Sequence, residues 1–331
     1  MPHAVIIRNP AARRAIPAER LRAAARAQAP SWTVEVRDTS TATESATHAA
    51  EAALGGADVV LACGGDGTLN GVLNGVRDAA THGGPDVTVG LVPAGTANVW
   101  ARETRIPRGA DGALRLLEEG RIVRADLGLA TVAGVEQRFL LVCGMGLDAA
   151  VVAAVERSPR MKRRLAQGAF AVAGARALWT QPSVIAVVEA DGVSLRRSIV
   201  LGIAGNTRLY GGVSPVTSAA ELDDGLLDLA LFEGRSGGRG LYDRTRHVMG
   251  AARRLRSGWH GVVATRFSYT RAAEIVVRPE RLLPVQLDGE PFHSCGPDAP
   301  LTLRVERRAV RLLVPDRPNP LFHEFEPAIG A

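Results

Sequence analysis

Cys63-Gly64-Gly65-Asp66-Gly67-Thr68-Leu69-Asn70 joins a strand-like run to a helix-like one through three glycines. The residues before it, Asp58 to Ala62, read as a buried parallel strand. After it, Leu69, Val72, Leu73 and Val76 recur at helical spacing. Strand, glycine turn and helix start, in that order, are how an α/β protein aims main-chain amides at phosphate. Gly64, Gly65 and Gly67 have no side chains, so a ligand can approach the backbone and φ > 0 is allowed. Asp66 adds a carboxylate where a nucleotide's metal would sit, and Thr68 and Asn70 add neutral hydrogen-bonding groups. The pattern is neither the dinucleotide G-x-G-x-x-G nor a P-loop, which needs Gly-Lys-Ser/Thr. A plain turn with an N-cap aspartate would not need three glycines framing Asp-x-Thr.

Outward from that stretch, the first part of the chain alternates strand and helix. Ala4–Ile7 is apolar, stops at Asn9-Pro10 and leads to an Arg/Ala-rich helix around Pro17–Ala29. Thr33–Val36 alternates as a strand and runs into Asp38-Thr39-Ser40, with a helix around Glu44–Leu54 after it. Val87–Val92 is a further strand, ending in Pro93-Ala94-Gly95-Thr96-Ala97-Asn98 before a helix bearing Trp100-Ala-Arg-Glu103. One more helix, Gly112–Glu119, precedes the strand Ile122–Leu127. Such alternation implies a parallel sheet, whose ligands bind beyond the carboxyl ends of the strands. Asn9, Thr39, the glycine loop and Gly95–Asn98 all fall at such ends, so four loops are expected to converge.

From about Gly128 the texture changes to short β-like runs: Phe139–Val142, Val184–Glu189, Ser198–Ile203, Leu227–Phe232, Ala273–Val277 and Val285–Leu287. Turns such as Asp191-Gly192 and Asp288-Gly289 separate them, which predicts an antiparallel sandwich or barrel. A helical insertion at Arg157–Trp179 and a basic helix at Tyr242–Arg256 interrupt the pattern, with a Gly/Arg patch at Gly234–Gly240. Leu301–Leu313 reads as two strands with a turn at Arg307-Arg308.

A chain of 331 residues is too long for one ordinary core, and two domains are expected. With 46% hydrophobic and 22% charged residues it reads as a soluble globular protein. The net charge of +6, carried almost wholly by arginine, suits an anionic lipid or a phosphorylated ligand. No basic–aromatic interleaving points to nucleic acid, and aromatics make up only 4%. Cys63, Cys143 and Cys295 have no metal-ligand or redox spacing and read as buried thiols in a reducing compartment. His3, His48, His82, His247, His260 and His293 show no metal spacing either. No secretory signal is visible and no apolar run approaches a membrane span, since Gly168 to Trp179 is short and carries Arg176.

Together these residues resemble the diacylglycerol kinase catalytic-domain superfamily, which includes bacterial soluble lipid kinases and sphingosine and ceramide kinases. The resemblance spans roughly Ala4 to Pro315. Gly64 to Asn70 matches the family's nucleotide loop, and Val92-Pro-Ala-Gly95-Thr96-Ala97-Asn98 looks like its second one. Asn9-Pro10 resembles the start of its first phosphate loop, and Thr39 falls at a family threonine. Asn206-Thr-Arg-Leu-Tyr210-Gly-Gly212, then Leu222-Asp-Asp-Gly-Leu226, looks like the lipid-domain signature, and Asp288-Gly289-Glu290 resembles the motif with the general base. The implied fold is an α/β ATP-binding domain with a parallel sheet at 1–127, to which 310–331 returns, and an antiparallel β-sandwich lipid domain at 128–309. Two departures stand out. Asn98 is followed by Val99 where the family has aspartate, and Ala11-Ala12-Arg13-Arg14 replaces Ser-Gly-Lys. Either arginine would substitute for the lysine charge on a phosphate, with different geometry.

What the resemblance implies for chemistry is phosphoryl transfer to a lipid hydroxyl, with ATP and Mg²⁺ as cofactors. Asn9, Pro10, Arg13, Arg14, Thr39, Gly64, Gly65, Asp66, Gly67, Thr68, Leu69, Asn70, Gly95, Thr96 and Asn98 are then the expected nucleotide-binding residues. Asp66, with Asp126, would hold Mg²⁺ through waters, although Asp126 reads equally as an ordinary strand end. A structural Mg²⁺ is expected on the Asp224 carboxylate and the carbonyls of Glu221 and Leu226, where the bland reading is a solvated turn. Either Asp288 or Glu290 is the expected base, with Glu290 favoured; without the resemblance that motif is only a hairpin turn. The expected protein is cytoplasmic, peripheral at the inner face of the membrane, and a monomer or homodimer. Its partners are the lipid substrate and an anionic surface, met by Arg160, Lys162, Arg163 and Arg164. The rival readings are a degenerate lipid- or nucleotide-binding regulator, suggested by Val99 and the altered first loop, and a NAD kinase-like enzyme that shares the glycine loop.

Overall fold

The computed structural model describes residues 1–156, 183–211, 215–234 and 266–326. The expected helices at Arg157–Trp179 and Tyr242–Arg256, and the Gly/Arg patch beyond Gly234, lie outside the described residues. The chain forms two compact units, one of Met1–Leu127, Glu221–Gly225 and Glu306–Ala331, the other of Gly128–Ala220 and Leu226–Val305.

The first unit runs β1 (His3–Arg8), α1 (Ala18–Gln28), β2 (Thr33–Asp38), α2 (Ala42–Leu54), β3 (Val59–Gly64), α3 (Asp66–Thr81), β4 (Thr88–Pro93), α4 (Val99–Glu103), α5 (Ala110–Leu114), α6 (Leu116–Glu119) and the start of β5 (Gly120–Val132). Its strands are parallel in the order β2-β1-β3-β4. Every residue of β3 and β4 is buried, as expected for parallel strands covered on both faces. Ile6 and Ile7 of β1 are fully buried, each contributing roughly 2–3 kcal/mol of apolar burial. The start of α2 follows from its sequence. Thr41 Oγ1 accepts the Glu44 amide at 3.0 Å, a donor the helix itself leaves open, and Glu44 Oε2 accepts the Ser40 amide at 2.6 Å, which ties the preceding residue to the first turn.

The second unit holds the end of β5, then β6 (Val135–Phe139), β7 (Val142–Gly146), α7 (Leu147–Glu156), β8 (Val184–Ala190), β9 (Val193–Gly205), β10 (Leu227–Glu233), β11 (Arg266–Ala272), β12 (Glu274–Pro279), β13 (Val285–Leu287), β14 (Glu290–Pro291) and the first part of β15 (Leu301–Pro315). The strand order is β14-β13-β7-β9-β8-β12-β15, and β10 joins β9 to β11. All these pairings within the unit are antiparallel. The first half of β9 pairs β8 and its second half pairs both β7 and β10, so this one long strand serves two strand sets. Phe139, Met145, Ile199, Leu229, Ile275, Leu287 and Leu303 are buried in one apolar core, the interior of an antiparallel β-sandwich-like domain.

The structure corrects several expected elements. Leu301–Leu313 is not two strands but part of the single β15, whose last part pairs parallel with β4 at Arg311↔Thr88. Arg308 takes a left-handed φ of 49° inside it, and its amide donates to Asp126 Oδ1 at 2.6 Å rather than to a strand neighbour. The expected strand Phe139–Val142 is the break between β6 and β7. The helix expected at Gly112–Glu119 is two short helices joined at Arg115. Among the unforeseen elements are α7, whose Ala/Val run lacks a polar face, and β11, whose polar residues hide its alternation.

Candidate active site

In the first unit, the glycine stretch bends β3 directly into α3, with Gly65 as N-cap. The first-turn amides of this 16-residue helix have no intrahelical acceptor and carry the positive end of its dipole. Three loops meet here. Asn9 N donates to Cys63 O at 2.9 Å, which ties the loop after β1 to β3. Ala94 N and Gly95 N donate to Gly64 O at 2.8 and 3.0 Å, and Arg14 N donates to Ala94 O at 2.9 Å. The two glycine loops touch so closely that a Cβ on Gly95 would stand 2.4 Å from Gly65 Cα, nearer than real Cβ atoms approach.

Asp66 does not point away from the protein. Its Oδ2 accepts the Val99 amide at 3.1 Å and its Oδ1 the Trp100 amide at 3.2 Å, so the carboxylate caps α4. Burial pushes the Asp66 carboxyl above the ordinary range, and the two amides pull against that shift. Val99 is 7% exposed and meets the site through its backbone. Asn98, left-handed at φ 47°, accepts the Gly95 amide on Oδ1 at 3.0 Å and donates from Nδ2 to Gly95 O at 3.1 Å. It locks the second loop on itself.

The other expected nucleotide residues divide by role. Thr68 is buried against Gly64, and Leu69 is a core residue at 1% exposure. Asn70 accepts from Asn74 Nδ2 at 2.7 Å, one helical turn on. Thr39 is buried, with its hydroxyl on Thr41 O and Ser45 Oγ at 3.1 Å each, so it closes the turn into α2. Asn9 Oδ1 accepts the Ala11 amide at 2.9 Å and shapes the first loop ahead of Arg13 and Arg14, which are both exposed. Pro10 lies in the same loop, and Thr96 at the tip of the second.

Asp126 is fully buried and accepts the Gly225 amide at 2.6 Å as well as that of Arg308. Its carboxyl is raised by burial, against the pull of those amides. The acid read as a strand end or metal ligand therefore anchors the Asp223-Asp224-Gly225 turn. No group of three His, Cys, Asp or Glu side chains that could hold a metal occurs among the described residues. Asp223 Oδ1 is nevertheless buried with no hydrogen-bond partner, while its Oδ2 accepts the His323 and Glu324 amides at 2.6 and 3.2 Å. An orphaned carboxylate oxygen beside Asp224 is chemistry that a hard cation fits. His323, absent from the sequence reading, has Nε2 3.0 Å from Glu221 Oε2.

In the second unit, Asp288 accepts three consecutive amides, those of Leu140, Leu141 and Val142, each at 2.9 Å. Asp288 and Gly289 both have positive φ and turn β13 into β14, which begins with the exposed Glu290. Two further polar residues with no motif around them, Asp148 and Gln286, are buried nearby and bonded at 2.7 Å. All three cysteines are free and buried.

Residues 3–130 match the family described as diacylglycerol kinase catalytic domain, and residues 142–314 match the YegS C-terminal NAD kinase beta sandwich-like domain. Diacylglycerol kinases of Staphylococcus aureus strains JH9 and Newman are 28% identical over 233 residues, covering 70% of this chain and 68% of theirs. A crystal structure of a Bacillus anthracis str. Sterne diacylglycerol kinase superposes with a TM-score of 0.66 at 18% identity, covering 95% of this chain and 97% of that one. A second structure from that organism, described as a candidate diacylglycerol kinase, reaches 0.72 at 19% identity over the same shares. At those identities the structures show a shared fold.

Proposed function

This chain belongs to the diacylglycerol kinase catalytic-domain family, and on that footing we propose that it is an ATP-dependent lipid kinase with a diacylglycerol-type acceptor. The observation that carries the reading is the meeting of three loops at the start of α3, where Asn9, Gly64–Gly65 and Ala94–Gly95 are bonded through their main chains. Amides at a helix N-terminus, glycines without side chains and two exposed arginines suit a triphosphate.

Transfer needs the donor held still and a base for the acceptor proton. Backbone amides of Asp66, Gly67 and Thr68, with the Thr96 hydroxyl, would hold the phosphates, and Arg13 or Arg14 would balance their charge. Glu290 would take the proton the lipid hydroxyl loses as its oxygen bonds to the γ-phosphorus and the bond to ADP breaks. Asp288 holds that turn through the three amides on its carboxylate, which supports giving the role of base to Glu290. Mg²⁺, when bound, neutralises phosphate charge. Asp66 would hold it through waters, Asp126 being fully buried on the Gly225 and Arg308 amides, and a structural Mg²⁺ would rest on Asp224 and the carbonyls of Glu221 and Leu226.

No helix among the described residues is long and apolar enough to cross a membrane. We place the enzyme at an anionic membrane surface from its basic charge and the Arg160–Arg164 cluster, which lies outside the described residues. Labelled ATP incubated with the protein, Mg²⁺ and total lipid extract in mixed micelles tests the function. A labelled lipid identifies the acceptor, and nucleotide binding without any labelled lipid overturns the reading.

A further inference from the structure

Within the second unit, a buried polar chain leads to the turn that presents Glu290. Asp148 stands in the first turn of α7 and is 4% exposed. Its Oδ1 accepts the Tyr210 hydroxyl, and its Oδ2 accepts Gln286 Nε2–H at 2.7 Å. Gln286, 1% exposed, accepts the Gly289 amide on Oε1 at 2.6 Å. Asp-Gly with two positive φ values is a favoured hairpin pair, so the turn's shape is set by its own residues. Its place is set by two anchors: Asp288 on the Leu140–Val142 amides, and Gln286 on the Gly289 amide.

The second anchor is costly to build. Asp148 is buried with neutral donors as its hydrogen-bond partners, and desolvation pushes its carboxyl up. Room for its bond to Gln286 exists only because residue 144 is glycine. A Cβ there would lie 1.7 Å from Asp148 Oδ2 and 2.4 Å from Gln286 Nε2. An apolar trio would fill this core at less cost, which points to a use for the polar one.

We propose that Tyr210, Asp148 and Gln286 are positioning residues for phosphoryl transfer, holding the Gly289 amide so that the Glu290 carboxylate stands ready to accept the lipid hydroxyl's proton. This rests on the reading of Glu290 as base. The test compares Tyr210→Phe, Asp148→Asn and Gln286→Leu with the wild type by kcat on diacylglycerol micelles, KM for ATP, and deuterium exchange of the segment 287–291. Gln286→Leu is expected to lower kcat roughly ten- to a hundredfold, the scale of a base misplaced by about 1 Å. Tyr210→Phe should lower it least, with KM for ATP unchanged and exchange at Gly289 faster in all three. Wild-type kcat in a folded Gln286→Leu protein, or unchanged exchange at Gly289, overturns the proposal. Should Asp148→Asn not fold, Tyr210→Phe, which removes one hydroxyl, keeps the comparison. A wild type that phosphorylates no lipid defeats the kinase reading, and exchange at Gly289 then decides whether the three residues hold the turn.

Discussion

Asp66 Oδ2 accepts the Val99 amide at 3.1 Å, although residue 99 carries no acid. What Asp66 needs from this position is a backbone donor, and valine supplies it as well as aspartate would. Val99→Asp would place a second carboxylate in a 7%-exposed position next to one already raised by burial. We expect it to destabilise the fold by about 1–3 kcal/mol and to leave kcat no higher than wild type. Thermal unfolding and a transfer assay check this; a faster enzyme would mean that Val99 marks a weakened site.

The contact between Gly65 and Gly95 gives a second expectation. Gly95→Ala forces the two loops apart, because its Cβ would also lie 2.7 Å from Asn98 Oδ1. Nucleotide affinity should fall at least about tenfold, or roughly 1.4 kcal/mol, in a protein whose second unit is undisturbed. Titration with a fluorescent ATP analogue measures it.

Asp288 and Glu290 should separate cleanly. Asp288→Ala leaves three amides without their acceptor and should cost about 2–4 kcal/mol of stability as well as activity. Glu290→Gln alters an exposed side chain, so the melting temperature should hold while kcat falls by roughly 10²–10⁴. Equal loss of stability in both would remove the distinction drawn between anchor and base.

The same particulars show how far sequence reaches. The glycine loop and the strands of the first unit were legible because the apolar runs, glycines and strand ends lie within a few residues of one another. Where Asp66, Asp126 and Asp288 spend their carboxylates was not, because each accepts amides from distant sequence: Val99, Arg308 and Leu140. Those long-range bonds also explain the misread elements, since Arg308 looked like a turn and Leu140 like mid-strand. Asp148 and Gln286 left no local signal at all, for their pairing spans 138 positions.

Buried carboxyls set a pH dependence of stability. Burial raises Asp148 and Asp126, so the native state holds their protons more tightly than the unfolded chain. Unfolding free energy must then fall as pH rises from the ordinary carboxylate value through the raised native one, and level off above it. Asp148→Asn removes one such titration and should flatten that slope. Urea unfolding between about pH 4 and pH 7 gives the comparison; a steeper slope in the variant would contradict it.

Charge reversal at Arg160, Lys162, Arg163 and Arg164 should weaken binding to vesicles containing anionic lipid, by about 1 kcal/mol per residue near the surface. Sedimentation with phosphatidylserine vesicles reads this directly, and unchanged binding removes the segment from any membrane role.

A comparison of wild type with Glu290→Gln, following ATP affinity and transfer of labelled γ-phosphate to diacylglycerol in mixed micelles, decides whether the protein is a kinase that uses Glu290 as its base. Equal ATP affinity, and labelled lipid from the wild type alone, are expected. Undiminished transfer by Glu290→Gln, or no labelled lipid from the wild type, would contradict that reading.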